Sequence, residues 1–166
     1  MEDNPYAAPQ AESLQSFGAK GGGGGGGPVF PRQSLLAFIG LSVLTLGIYI
    51  PYWYRSRAQM VNLAAGREVT GLAPFSAAIL IYLAALAVSF VSGFQGTEGG
   101  GLDQGLNTAS NFANLIMAFK LRGAIHAAGH VRSGTPYWLG GVGTFFLGAF
   151  FLQYKINRVD YGDLIG

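Results

Sequence analysis

Two histidines four residues apart, His126 and His130, have the spacing that places a pair of imidazoles on one helix face, as a metal pair requires. Gly129 weakens that helix, the nearest acids in sequence are distant, and no nucleophile adjoins either ring. The reading is therefore of solvated interfacial histidines, with no metal and no cofactor. The chain has no cysteine, which excludes disulfides, thiolate catalysis, a lipoprotein attachment site and palmitoylation. No paired carboxylates fall in an apolar segment, so an enzyme is not expected. The run from Gly21 to Gly27 satisfies a GxGxxG pattern but follows no strand and opens no helix, and reads as a linker.

A second arrangement with chemical potential is a set of amides. Gln104, Asn107, Asn111 and Asn114 are spaced 3, 4 and 3 residues apart, one polar stripe along a helix for which Asp103 is the expected cap. Such a stripe bonds neighbouring helices inside a bundle, lines a polar permeation or ligand path, or belongs to a helix lying outside the membrane, and the first is the expectation.

The elements that must position these groups are apolar. Half of the 166 residues are hydrophobic and 11% are charged, against roughly 25% in a soluble domain. Between Arg32 and Arg55 lie 22 uncharged residues, about 33 Å as a helix, and enough to cross a hydrocarbon layer of about 30 Å. That stretch ends in Tyr52, Trp53 and Tyr54 followed by Arg55 and Arg57, an order suited to a bilayer surface. Pro51, four residues after Gly47, predicts a kink or break between them. Residues Ala58 to Ala65 predict an interfacial helix.

Leu72 to Phe90 predicts a second membrane segment, with Ala84, Ala85, Ala87 and Ser89 permitting close helix packing. Gln104 to Phe119 is a shorter third segment, and Pro136 to Tyr154 a fourth, in which Gly140, Thr144 and Gly148 form a small-residue ridge for a neighbouring helix. The expected fold is thus an all-α integral membrane protein with four membrane-embedded helices over residues 33–158. A disordered Pro/Gly-rich tail over 1–32 precedes it, without the apolar core of a signal peptide, and a short polar end covers 159–166.

Leu46-Gly47 and Leu147-Gly148 head a faint repeat, each followed ten residues after the glycine by an arginine, Arg57 and Arg158. If all four segments span, the ten cations divide six to four across the membrane. If the first and fourth instead enter and return, breaking near Gly47 and Gly148, all ten lie on the cytoplasmic side. The two arrangements differ in where they put the termini. Both place loops 55–71 and 120–136 inside and the acidic loop 93–103 outside.

Thr45-Leu46-Gly47-Ile48-Tyr49, then Tyr52-Trp53-Tyr54-Arg55, with Gln153, Tyr154 and Asn157, resemble a family of small bacterial and archaeal integral membrane proteins. That family is a domain of unknown function with a TLGIY, YW, YR signature, and the resemblance runs from Gln33 to Arg158. Pro51 departs from the signature. The opening Asn4-Pro5-Tyr6 with Pro9 also looks like the start of many bacterial membrane proteins. The resemblance implies a location in the bacterial cytoplasmic membrane and transfers no active site.

Together these features predict a structural or interaction module, packing against itself or a larger membrane partner, with the lipid bilayer as its solvent and no nucleic-acid partner. The alternative is a transporter or channel component whose path is lined by Gln104, Asn107, Asn111 and Asn114.

Overall fold

A computed structural model describes residues 29–96, 100–159, 161 and 165. Most of the expected N-terminal tail, the glycine run included, lies outside these residues, as do Glu98, Asp160 and Asp163. The described part is all-helical: α1 (Leu35–Leu44), α2 (Tyr49–Ala64), α3 (Ala73–Phe94), α4 (Gly101–Ala128) and α5 (Gly141–Arg158). Among the described residues α3, with 22 residues, is the one helix long and apolar enough to cross a membrane.

The first apolar stretch is not one helix. It stops at Leu44, and Leu46 (φ 52°) and Gly47 (φ 88°) reverse the chain in the left-handed region. Gly47 N–H donates to the Ser42 carbonyl at 2.6 Å and Leu46 N–H to the Val43 carbonyl at 3.0 Å, the paired bonds of a Schellman helix end. The Thr45 hydroxyl accepts from Tyr49 N–H at 3.0 Å and so starts α2. Pro51 then falls in the first turn of α2, where no backbone donor is needed, so the break lies upstream of it.

Contacts along this turn show an antiparallel hairpin. Pro31 meets Arg57, Gln33 meets Tyr49, and the Phe38 and Trp53 rings stand edge to face at 5.4 Å. The expected interfacial helix over 58–65 is simply the continuation of α2.

The fourth segment does the same. Gly148 has φ 46° and ψ −121°, which interrupts α5. A Cβ built on Gly143 would lie 2.7 Å from the Phe151 ring, although eight residues of straight helix would separate the two by about 12 Å. Lys155 likewise reaches back to the Pro136 carbonyl. The Gly140, Thr144, Gly148 ridge is therefore used within the chain: Thr144 is fully buried and donates to the Gly140 carbonyl, and Gly148 lies against the Tyr54 hydroxyl.

Helix α4 runs unbroken for 28 residues and packs against α2, α3 and α5. It extends well past the expected end at Phe119, and its N-cap is Gly100, with Asp103 inside the first turn. The buried core gathers Trp53, Tyr54, Val61, Phe75, Met117, Leu121, Ile125, Leu139, Leu152 and Ile156 at one end of the molecule. That end holds the mouths of both hairpins, the start of α3 and the last turns of α4, and every Lys and Arg among the described residues belongs to these segments or their loops. Toward the other end α1, the first half of α5 and the facing parts of α3 and α4 expose large apolar side chains, among them Leu36, Leu44, Phe90, Phe94, Phe112 and Phe146. Phe30 and Tyr161 close the packed end edge to face, so both flanks of the expected membrane region, assigned from sequence to the tails, contribute to the core.

Candidate functional site: a polar seam between two hairpins

The residues carrying the signature meet where the hairpins pack together. Trp53 Nε1 donates to Gln153 Oε1 at 2.9 Å, and both side chains are buried. Gln153 Nε2 donates onward to Asn157 Oδ1 at 2.7 Å and to the Gln33 carbonyl at 3.2 Å. Asn157 Nδ2 donates to that carbonyl at 2.6 Å, its Oδ1 accepts from Gln33 N–H, and the Gln33 side chain accepts from the Tyr49 hydroxyl. Buried amides cost free energy unless paired, and here each finds a partner on the opposite hairpin or on the strand of chain entering α1.

The two halves repeat one device. Arg57 lies over the Trp53 ring at 5.5 Å, and Arg158 donates to the Tyr154 hydroxyl at 2.9 Å; in each pair the arginine follows its aromatic by four residues, one helical turn. Each reversal is also met by a tyrosine hydroxyl from another helix. Tyr82 donates to the Leu46 carbonyl at 2.6 Å, beside Gly47, and Tyr54 sits against Gly148 and Ala149. These tyrosines explain the glycines: a Cβ on Gly47 would fall 2.0 Å from the Tyr82 oxygen.

Of the other signature residues, Tyr52 is exposed and Leu46 projects outward, while Arg55 Nε donates to the Ser76 hydroxyl and so ties α2 to the start of α3. Arg57 is the exception to the satisfied network. It is 4% exposed, donates to the Pro31 carbonyl at 3.3 Å and to the Met60 sulfur, and its Nε has no partner among the described residues.

The amide stripe is arranged differently. Gln104, Asn107 and Asn111 are exposed on the outside of α4, among exposed Leu102, Phe112 and Ile116. Asn107 bonds Asp103 and Ser89, closing α4 onto α3. Asn114 is half-buried, and its Oδ1 has no partner among the described residues.

His126 and His130 do not form a pair. His130 lies beyond the end of α4 with φ 48°, and no group of three or more metal-ligating side chains occurs among the described residues. His126 has a structural task that its spacing did not reveal. Its Nε2 accepts from Leu139 N–H at 3.1 Å while its ring stacks on Trp138 at 4.5 Å. Arg122 covers the same indole at 5.1 Å, and its Nε donates to the Leu139 carbonyl at 2.6 Å. Burial first, and the Arg122 charge second, hold the imidazole pKa down to about 4, so it is neutral and free to accept.

The family described as Domain of unknown function (DUF4234) matches residues 33–127, more than half of the chain. The match takes in the first hairpin, α3 and most of α4, and leaves Gln153 and Asn157 outside it. No curated protein and no solved structure matches the chain.

Proposed function

This chain belongs to the family of unknown function DUF4234, and from that premise we propose that it is a membrane-embedded interaction module that assembles with a second copy of itself or a larger membrane protein. In this reading α3 crosses the bacterial cytoplasmic membrane and the part of α4 up to Phe119 returns beside it. The two broken segments enter from the cytoplasmic side and turn back. Helix α1 has ten residues, about 15 Å, which is half of a hydrocarbon layer of about 30 Å. The turns at Gly47 and Gly148 keep every described cation at one end, as the positive-inside rule favours, and the exposed apolar band suits lipid tails.

The observation that carries the assembly reading is the exposure of Gln104, Asn107 and Asn111 within that band. Amide groups facing hydrocarbon are costly, and amides between helices supply directional contacts. A path along these residues within one chain would need them to face inward, so the transport alternative has less support. In this reading the seam serves to hold the two hairpins together.

A photo-crosslinking residue at position 111 tests this in membranes. The reading expects a product at twice the chain mass or a discrete heavier adduct, lost when Gln104 and Asn107 are replaced by leucine. A chain that stays monomeric and forms no adduct contradicts it.

A further inference from the structure

Beside the seam, at the mouth of the first hairpin, lies a cleft of about 280 Å³ lined by Pro31, Gln33, Tyr49, Tyr52, Trp53, Ser56, Arg57 and Met60. Its wall contains the one buried cation described above, Arg57, whose partners are a carbonyl, a thioether and an indole face, with Nε unpaired among the described residues. A buried charge without a counter-charge is strongly disfavoured. A guanidinium in the wall of a cavity that is also lined by Ser56 and Tyr52 brings together the donor types that a tetrahedral oxyanion takes.

We propose that this cleft binds a phosphate group, carried by the headgroup of an anionic phospholipid or supplied as free phosphate, with Arg57 as its counter-charge. The headgroup source rests on the membrane reading above. Arg57 lies ten residues beyond the reversal at Gly47, about 15 Å of helix, which sets the cleft at the level where a half-crossing hairpin meets the bilayer surface. The Met60, Pro31 and Trp53 walls give the glycerol and first methylenes an apolar surface. The proposal assigns a ligand to Arg57, Ser56 and Tyr52, which the hydrogen bonds of the seam do not use.

Calorimetric titration of the full chain in neutral detergent tests it, with short-chain phosphatidylglycerol and inorganic phosphate as separate probes. Phosphatidylglycerol should bind the wild type and bind Arg57→Gln at least about ten-fold more weakly, with Arg57→Lys between them. Binding of inorganic phosphate alone with the same dependence on Arg57 supports the site and identifies free phosphate as its source. Equal affinity for the wild type and Arg57→Gln overturns the proposal. If Arg57→Gln does not fold, Ser56→Phe fills the cleft without removing the cation: lost binding supports the site and unchanged binding overturns it. Flotation of the wild type with phosphatidylcholine vesicles reads the membrane assignment separately, since a chain that binds phosphate but does not float fails that assignment alone.

Discussion

Trp53 and Gln153, one hundred residues apart, share a 2.9 Å hydrogen bond inside the core, and through it the first hairpin is fixed to the second. Gln153 also donates to Gln33 and Asn157, so Gln153→Leu strands several buried polar groups at once. Each is expected to cost about 1–3 kcal/mol. Trp53→Phe removes only the indole N–H and should cost less. A double-mutant cycle on chemical denaturation checks the pair, with a favourable coupling expected between the two sites.

Gly47 and Gly123 should respond oppositely to alanine. At Gly47 φ is 88° and the added carbon meets the Tyr82 oxygen, so Gly47→Ala should destabilise by more than about 1 kcal/mol. Gly123 sits inside α4 with open space around it, and Gly123→Ala should stabilise by about 0.5–1 kcal/mol. Adding Tyr82→Phe to Gly47→Ala relieves the clash but not the backbone strain, so thermal unfolding should show partial recovery.

What the sequence revealed and what it concealed follow from how local each cause is. A break near Gly47 was legible because a glycine acts on its own backbone, although Pro51 falls downstream of it in the first turn of α2, and its match at Gly148 was legible through the repeat. That the chain folds back at both points depends on Tyr82 and Tyr54, which approach from other helices. The seam was half visible: Trp53, Gln153 and Asn157 stood out by type, but the bonds that join the hairpins through them, Trp53 to Gln153 and Gln33 to Gln153 and Asn157, span a hundred residues or more. The helical spacing of Gln104 to Asn114 held, whereas the side the stripe faces is set by how α4 packs. The sequence reads His126 as a solvated interfacial histidine, whereas a loop backbone takes the place of solvent because Trp138 and Leu139 return to α4 from outside any local window.

The His126 contact predicts a pH dependence. Its pKa falls from 6.5 to about 4 on folding, by burial and then by Arg122, so the unfolded chain binds the proton more tightly. The stability it contributes is complete above pH 6.5, is lost as the pH drops through that window toward about 4, and changes no further below. Protonation removes the acceptor for Leu139 N–H. Denaturation midpoints across the window should fall more steeply for the wild type than for His126→Gln, and equal slopes would contradict this account of the contact.

The central claim is that the broken first segment returns to the side it came from, and the absence of cysteine makes it directly measurable. Single cysteines at Ser13, in the N-terminal segment, at Ser133, in the basic connector, and at Glu98, in the acidic loop, are exposed to a membrane-impermeant maleimide in intact cells and after lysis. The account predicts labelling at 98 in intact cells, with 13 and 133 protected until lysis. Labelling at 13 together with 98 in intact cells, while 133 stays protected, would mean that the first segment crosses the membrane and would contradict the account.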